Sequence, residues 1–437
     1  MSSEENRLEV IERLVEYVSN KLPQDEAPLV KRFVRQYYLS VSPEDLAIRS
    51  ILDLYGAVVS HWHYINKRLP GEAKVRVFNP HLERDGWQST HTIIEIAFED
   101  MPFIIDSVTI ALNRLNLNIH LVIHVGNMKL SRDSTGKITK IFEENEDSEN
   151  IKGEVAIYIE VDRQSDPETL QNITKEIQQV LNDVQTVVKD WSTMRENAKK
   201  ILAEDLEAIQ TKVPNEYLAE EIAFIRWMIE DHFTFLGYQE YHIEKENEKI
   251  QCELINGSEL GLSRIAKYRD DLCKIVDLPL AVQQLFLANK RILVGKTNVR
   301  STVHRPTYTD FILIKTFDAN GHLIKVKRFI GLYTAAAYNS SPKQIPLLRE
   351  KVNHILINSC FSPKSHDERA LLNILETLPR DDLIQATEAE LLELSTGILY
   401  LQERKRIRLF IRKDLFSYFF SCLVFVPREK IYIRLKR

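Results

Sequence analysis

The chain has thirteen glycines, and no two of them are separated by a single residue. That spacing limits the folds open to it. A dinucleotide-binding turn needs G-x-G-x-x-G, so that backbone can approach a pyrophosphate at a helix N-terminus. The nearest pair, Gly257 and Gly261, encloses Ser258, Glu259 and Leu260, so it is not a G-x-S-x-G nucleophile elbow either. G-x-x-x-x-G-K, H-E-x-x-H and C-x-x-C do not occur. The usual phosphate cradles, zinc ligands and serine elbows are therefore not how this chain works.

A length of 437 residues predicts roughly two to four domains. Lys and Arg number 58 against 63 Asp and Glu, a net charge of −5, which argues against nucleic acid or an anionic membrane as partner. Residues 403–437 depart from that mean, with eleven Lys/Arg against Glu403, Asp414 and Glu429. A solvated strand pair with basic rims is the simpler reading, and a phosphate or nucleic-acid surface the alternative. Cys252, Cys273, Cys360 and Cys422 lie far apart and form no disulfide framework, as expected of a reduced cytoplasmic protein. The acidic N-terminus carries no signal-peptide pattern, and the longest apolar stretch, Phe416–Val426, is too short to span a bilayer.

Periodicity divides the chain into an N-terminal helical segment (1–70), an α+β unit (73–191), a helical linker (192–212), a second α+β unit (213–340), a helical segment (343–404) and an incomplete unit (405–437). Ser42-Pro43-Glu44-Asp45 predicts a helix start with Ser42 as N-cap. Strands are expected at Lys74–Phe78, Thr90–Phe98, Asn118–Met128 and Glu154–Val161, with Glu143–Glu149 as a loop. Asp100-Met101-Pro102 predicts a capped helix start. Ile173, Ile177, Val180, Val184, Val187 and Trp191 predict one apolar helical stripe over 167–191. This order describes a split βαβ sandwich. The second unit predicts a helix over Tyr217–Asp231 and five strands: Thr234–Ile243, Lys249–Leu254, Arg291–Lys296, Asp310–Phe317 and Leu323–Leu332. Pro379 breaks the helical segment, and Arg406–Arg412 and Phe416–Val426 are two further strands, too few for a domain.

His120 and His124, four strand positions and about 13 Å apart, cannot share a metal ion. His61 and His63 flank Trp62 and diverge on a helix. No metal site is expected. Asp100 either caps the following helix, with Asp106 solvated, or that helix start receives a ligand carboxylate. In the run Lys296–Pro306, an extended backbone would place Arg300 and His304 on one face and Arg305 on the other. That face is either an anion site built on an Arg fork or an ordered loop.

Several strings resemble the N-terminal region of the large bacterial NAD-specific glutamate dehydrogenases. They are Val77-Phe-Asn-Pro80, Asp85-Gly-Trp-Gln-Ser-Thr-His91, Asp100-Met-Pro-Phe-Ile-Ile-Asp-Ser107 and Ile119-His-Leu-Val-Ile-His124. His232-Phe-Thr-Phe-Leu-Gly-Tyr238, Ser301-Thr-Val-His-Arg-Pro306, Arg328-Phe-Ile-Gly-Leu-Tyr333, Leu375-Glu-Thr-Leu-Pro-Arg-Asp381 and Val426-Pro-Arg428 complete the set. The resemblance implies an α+β chain of tandem modules joined by helical linkers. Residues 73–191 would be an ACT-like domain, 213–340 a PAS-like domain, and 405–437 the opening of a second ACT-like unit. It implies a regulatory and oligomerisation portion of an enzyme that converts glutamate to 2-oxoglutarate with NAD in amino-acid catabolism. NAD and the catalytic residues would belong to a separate domain. The string after Arg428 departs from the family's continuation, which implies truncation and no activity in this chain alone. An amino-acid effector is expected near His91, Asp100 and Met101, with Arg300, His304 and Arg305 as further candidates. The alternative is a scaffold, or a remnant, that binds no small molecule. A homo-oligomer is the expected assembly.

Overall fold

The computed structural model describes residues 3–24, 26–142, 146, 151–211, 216–246, 249–269, 283–284, 286, 288, 290–318, 320–401, 404, 406–414, 416 and 418–427. The expected loop at Glu143–Glu149, apart from Glu146, and Cys273 lie outside these residues. The chain forms two compact units. Unit 1 comprises Met1–Gln185 with Thr302–Pro306, and unit 2 comprises Thr186–Ser301 with Thr307–Arg437.

Unit 1 opens with helices α1 (Ser3–Lys21), α2 (Ala27–Leu39), α3 (Pro43–Ala47) and α4 (Ile51–Ile65). The Ser42 side chain accepts from Asp45 N, the cap expected from sequence, and Ser50 caps α4 through Asp53 N in the same way. Val30, Phe33, Val34, Tyr37 and Tyr38 recur at helical spacing in α2 and are buried.

A five-stranded antiparallel sheet follows in the order β1-β2-β5-β3-β4. Its strands are β1 (Lys74–Phe78), β2 (Thr92–Glu99), β3 (Ile119–Arg132), β4 (Ile138–Ile141) and β5 (Gly153–Val161). Helix α5 (Leu82–Asp85) leads into β2, and α6 (Ile104–Arg114) crosses from β2 to β3. Because β5 pairs antiparallel with both β2 and β3, those two strands run parallel with β5 between them. This is the expected split βαβ unit, and the fold is α+β. The edge beside β2, where a βαββαβ unit would place its last strand, is held by β1 from upstream.

Both sheet faces are buried. Register places Ile93, Glu95 and Ala97 opposite Glu160, Tyr158 and Ala156 on one face. The apolar members of that face share a core with Phe33, Tyr37, Val58 and Trp62 of the helices. Ile94, Ile96, Phe98, Val155, Ile157 and Ile159 occupy the other face and are also buried. At about 1.5–3 kcal/mol per fully buried large aliphatic side chain, this double-sided burial fixes strand register. Helix α7 (Pro167–Thr211) runs unbroken for 45 residues, where sequence separates a helix from a linker. Its stripe from Ile173 to Val187 is buried as expected, but Trp191 is 38% exposed.

Unit 2 contains α8 (Glu216–Trp227) and an antiparallel sheet in the order β7-β6-β11-β10-β9. The strands are β6 (Phe233–Glu246), β7 (Lys249–Leu254), the short β8 (Leu260–Gly261) beside β6, β9 (Ile292–Arg300), β10 (Tyr308–Phe317) and β11 (Leu323–Tyr333). All five expected strands are present. Helix α8 stops before the expected Asp231, because Met228–His232 widens into a π-type turn with Asp231 at φ +58°. The later helices Leu348–Asn358, His366–Thr377 and Glu388–Leu399 pack against this sheet through Val352, Leu371, Leu375 and Leu391. Pro379 separates the second of these from the short helix Arg380–Gln385, as expected. Strands β12 (Arg408–Lys413) and β13 (Phe420–Phe425) form a hairpin. The second strand begins at Phe420 rather than Phe416, and upstream of it the Asp414 carboxylate accepts from Phe416 N (3.0 Å) and Tyr418 N (3.4 Å).

Candidate functional site: a half-lined cavity in unit 1

A cavity of about 670 Å³ lies over the β3/β5 face of the first sheet. Leu121 pairs with Glu160 and Ile123 with Tyr158, so these four side chains form its floor. Leu46, Arg49, Leu54 and Ala57, from α3, α4 and the turn between them, form one wall, and residues Trp87–His91 the other. The second wall is fixed by its own chemistry. Gly86 ends α5 at φ +74°, a left-handed conformation suited to glycine. Trp87 then packs so closely on α4 that a Cβ at Gly56 would lie 2.3 Å from the Trp87 Cβ. Arg163 Nη1 donates to Ser89 O at 2.8 Å, and His91 N donates to Ser89 Oγ at 3.1 Å.

Charge in the cavity centres on Glu160, which is 1% exposed. Arg49 reaches it across 111 residues with two parallel bonds, Nη1 and Nη2 each at 2.7 Å, and Tyr158 OH adds a third at 2.9 Å. These bonds to Glu160 hold the Arg49 guanidinium above its ordinary pKa, and burial raises that of Tyr158. His91 Nδ1 stands 3.6 Å from Glu160 Oε2, and the His91 ring lies 4.4 Å from that of His120, whose Nε2 is 2.7 Å from Asp162 Oδ1. Of two residues that line the cavity, Trp87 and Arg49, the Nε1 and Nε atoms are buried and have no hydrogen-bond partner among the described residues. An unsatisfied buried N–H costs roughly 1–3 kcal/mol.

Of the six residues expected to contact an effector, only His91 lines this cavity. Asp100 and Met101 lie beyond the far end of β2, roughly 30 Å away along the strand. Asp100 does not cap α6. The N-cap position is held by Phe103 at φ +75°, and the Asp100 carboxylate instead accepts from Asn127 N. His304 lies over that helix start, with its ring 4.8 Å from Phe103 and its Nδ1 3.7 Å from Asp106. Residues 302–306 are bent rather than extended, with His304 at φ +72°, so the alternating faces read from sequence do not form. Arg305 N donates to Val303 O at 3.0 Å within that bend. Arg300 belongs to unit 2, where its guanidinium lies 5.1 Å from the Tyr308 ring centroid. Among the described residues, no group of three or more His, Cys, Asp or Glu side chains could hold a metal ion.

Sequence reasoning missed Arg49, Trp87 and Glu160. One signal was available for Glu160, an acid within a strand otherwise apolar from Val155 to Val161 apart from Tyr158.

A split βαβ sheet under a helical layer, with a cavity on the covered face, defines the class of this unit as an α+β domain of split βαβ type. Residues 33–177 match the family model described as "Glutamate dehydrogenase, ACT1 domain". Residues 345–404 match helical motif 1 of glutamate dehydrogenase, and residues 408–437 its ACT2 domain. The chain belongs to the NAD-specific glutamate dehydrogenase family, to whose N-terminal region it corresponds. It is 40% identical over 432 residues to the NAD-specific glutamate dehydrogenase of Halomonas elongata, covering 98% of this chain and 26% of that protein. Against the Pseudomonas aeruginosa enzyme the identity is 35%, covering 92% and 25%. Against that of Mycobacterium tuberculosis it is 23%, covering 85% and 21%. The chain thus spans about a quarter of the length of these relatives. Among the described residues, no helix is long and apolar enough to cross a membrane.

Proposed function

We propose that this chain is the regulatory and assembly portion of a cytoplasmic NAD-dependent glutamate dehydrogenase, binding a small amino-acid effector and inactive by itself. The family match supplies the enzyme. The observation that carries effector binding is the unit 1 cavity, whose floor sets Leu121 and Ile123 beside Tyr158 and Glu160 and whose walls carry Arg49 and His91. A preformed, mostly apolar site with a few converging polar groups is how small ligands are held. NAD and the oxidation of glutamate belong, in this reading, to another part of the family's enzyme, consistent with the absence of a G-x-G-x-x-G turn. The PAS-like reading of 213–340 is supported by the antiparallel sheet in which the first and last main strands sit side by side.

A ligand that binds only the folded chain must raise its stability, by about 2.7 kcal/mol at a concentration one hundred times its Kd. Calorimetric melting with a panel of amino acids tests the reading, and an unchanged melting temperature with every member would leave the scaffold alternative. An assembly role is favoured by the hairpin, whose Leu409, Ile411, Phe420 and Val424 are 52–66% exposed. Light scattering across a concentration series should give a mass above that of one chain. Incubation with glutamate and NAD should give no NADH.

A further inference from the structure

We propose that unit 2 holds a ligand site of its own, a cavity of about 900 Å³ that binds an aliphatic monocarboxylate. β9 is an edge strand of its sheet, and residues 290–294 line one side of the cavity. The helices Leu348–Asn358 and Glu388–Leu399 and the end of β12 supply much of the rest. Lys351 lies in this lining. Its Nζ donates to Leu383 O (3.0 Å), Ile384 O (3.0 Å) and Ala386 O (2.8 Å), which uses all three N–H groups on neutral acceptors. Among the described residues it forms no ion pair with a carboxylate. Three acids of the lining are engaged elsewhere: Glu221 accepts from Arg291 N (2.9 Å), Glu390 from Thr387 N (2.8 Å), and Glu388 lies 3.2 Å from His354 Nδ1. Desolvation lowers the Lys351 pKa from 10.5 to about 8, with Lys290 and Arg412 adding to that and Glu388 and Glu390 opposing it. An ammonium held without a counter-ion is stabilised by an anion in the cavity. Lys290 and Lys413 also line it, are exposed and form no ion pair among the described residues, so they can meet a carboxylate directly. Hydrocarbon completes the match. Leu293, Val294, Leu347 and Ile384 are half-buried in the lining, and an alkyl chain laid on them leaves water. Phe224, the only Phe, Tyr or Trp among the described residues that line the cavity, is 2% exposed and gives a nucleobase no ring to stack on. Glu350 and Glu388 in the same lining repel the further charges of a di- or tricarboxylate.

The experiment is isothermal titration of the intact 437-residue chain at about pH 8 with sodium octanoate, 1-octanol, acetate and citrate. Octanoate should bind saturably, at least about tenfold tighter than the other three, because it alone joins one charge to an alkyl chain. In buffers of different ionisation enthalpy the titration should show uptake of up to about half a proton, since Lys351 is half-protonated near its pKa and a neighbouring anion holds the proton. Lys351→Met should abolish that uptake. Because Lys351 ties down three carbonyls and its variant can misfold, the double variant Lys290→Gln, Lys413→Gln serves beside it. Both of these lysines are exposed, so the fold should persist while octanoate binding weakens several-fold. Octanol, acetate or citrate binding as tightly as octanoate overturns the proposal. So does octanoate binding without proton uptake, with uptake that persists in a folded Lys351→Met, or with an affinity unchanged in the double variant. No binding of octanoate overturns it as well, and leaves the reading of the unit 1 cavity standing.

Discussion

Two buried titratable residues in unit 1 pull its stability in opposite directions with pH. His61 is fully buried between Tyr37 OH (3.1 Å) and Ile96 O (3.3 Å), and burial pushes its pKa from 6.5 down to about 3. The unfolded chain binds that proton first, so stability present above pH 6.5 is lost as pH falls towards 3, at up to about 1.4 kcal/mol per unit. Burial pushes Glu95 the other way, from 4.5 up to about 7, against the opposing pull of Arg76. Its contribution is complete below pH 4.5 and is lost as pH rises through 7. Between pH 4.5 and 6.5 the two slopes oppose one another. Urea denaturation at stepped pH should therefore show Glu95→Gln losing stability on acidification more steeply than the parent chain, while His61→Gln gains it. Parallel curves for all three proteins would contradict the assignment. The His61 tautomer and the ionisation of Glu95 could not be read from sequence, because their partners lie on other elements. What sequence did show was that His61 and His63 diverge, and His61 is buried while His63 is exposed.

Among the elements, local signals proved legible and long-range ones did not. Ser42 caps its helix, Pro379 interrupts its segment and β2 forms a strand as expected, because each depends on neighbours within a turn or a strand. Asp100 carries the residue type of a cap, yet Phe103 adopts the left-handed conformation at that position and Asn127 takes the carboxylate. The Arg49–Glu160 pair at the cavity joins residues 111 apart, a separation no sequence pattern encodes. Two substitutions probe these elements. Thr387 and Glu390 form a reciprocal cap on the helix Glu388–Leu399, so Thr387→Ala should cost about 1 kcal/mol in denaturant unfolding. Gly56→Ala should be worse than its helix propensity suggests, because the new methyl meets the Trp87 side chain. A loss of roughly 1–3 kcal/mol is expected, together with weaker ligand binding as that wall shifts. A stabilised Gly56→Ala protein would show that Trp87 has room to move.

For the whole molecule, composition changes along the chain suggest where one unit gives way to the next. The ACT1 match begins at residue 33, within α2, and α2 and α4 supply the cover for one sheet face and share its core. The order of strands in that sheet also bears on the element that leaves it. In a βαββαβ unit the second helix has to stop and reverse, since the chain must return along the sheet edge as the last strand. Here β1 already occupies that edge, placed there before the first crossover was made. The helix after β5 is thereby released from any obligation to turn back, and it continues for 45 residues, roughly 67 Å. Filling the edge from upstream leaves the chain after β5 with no vacant edge to return to.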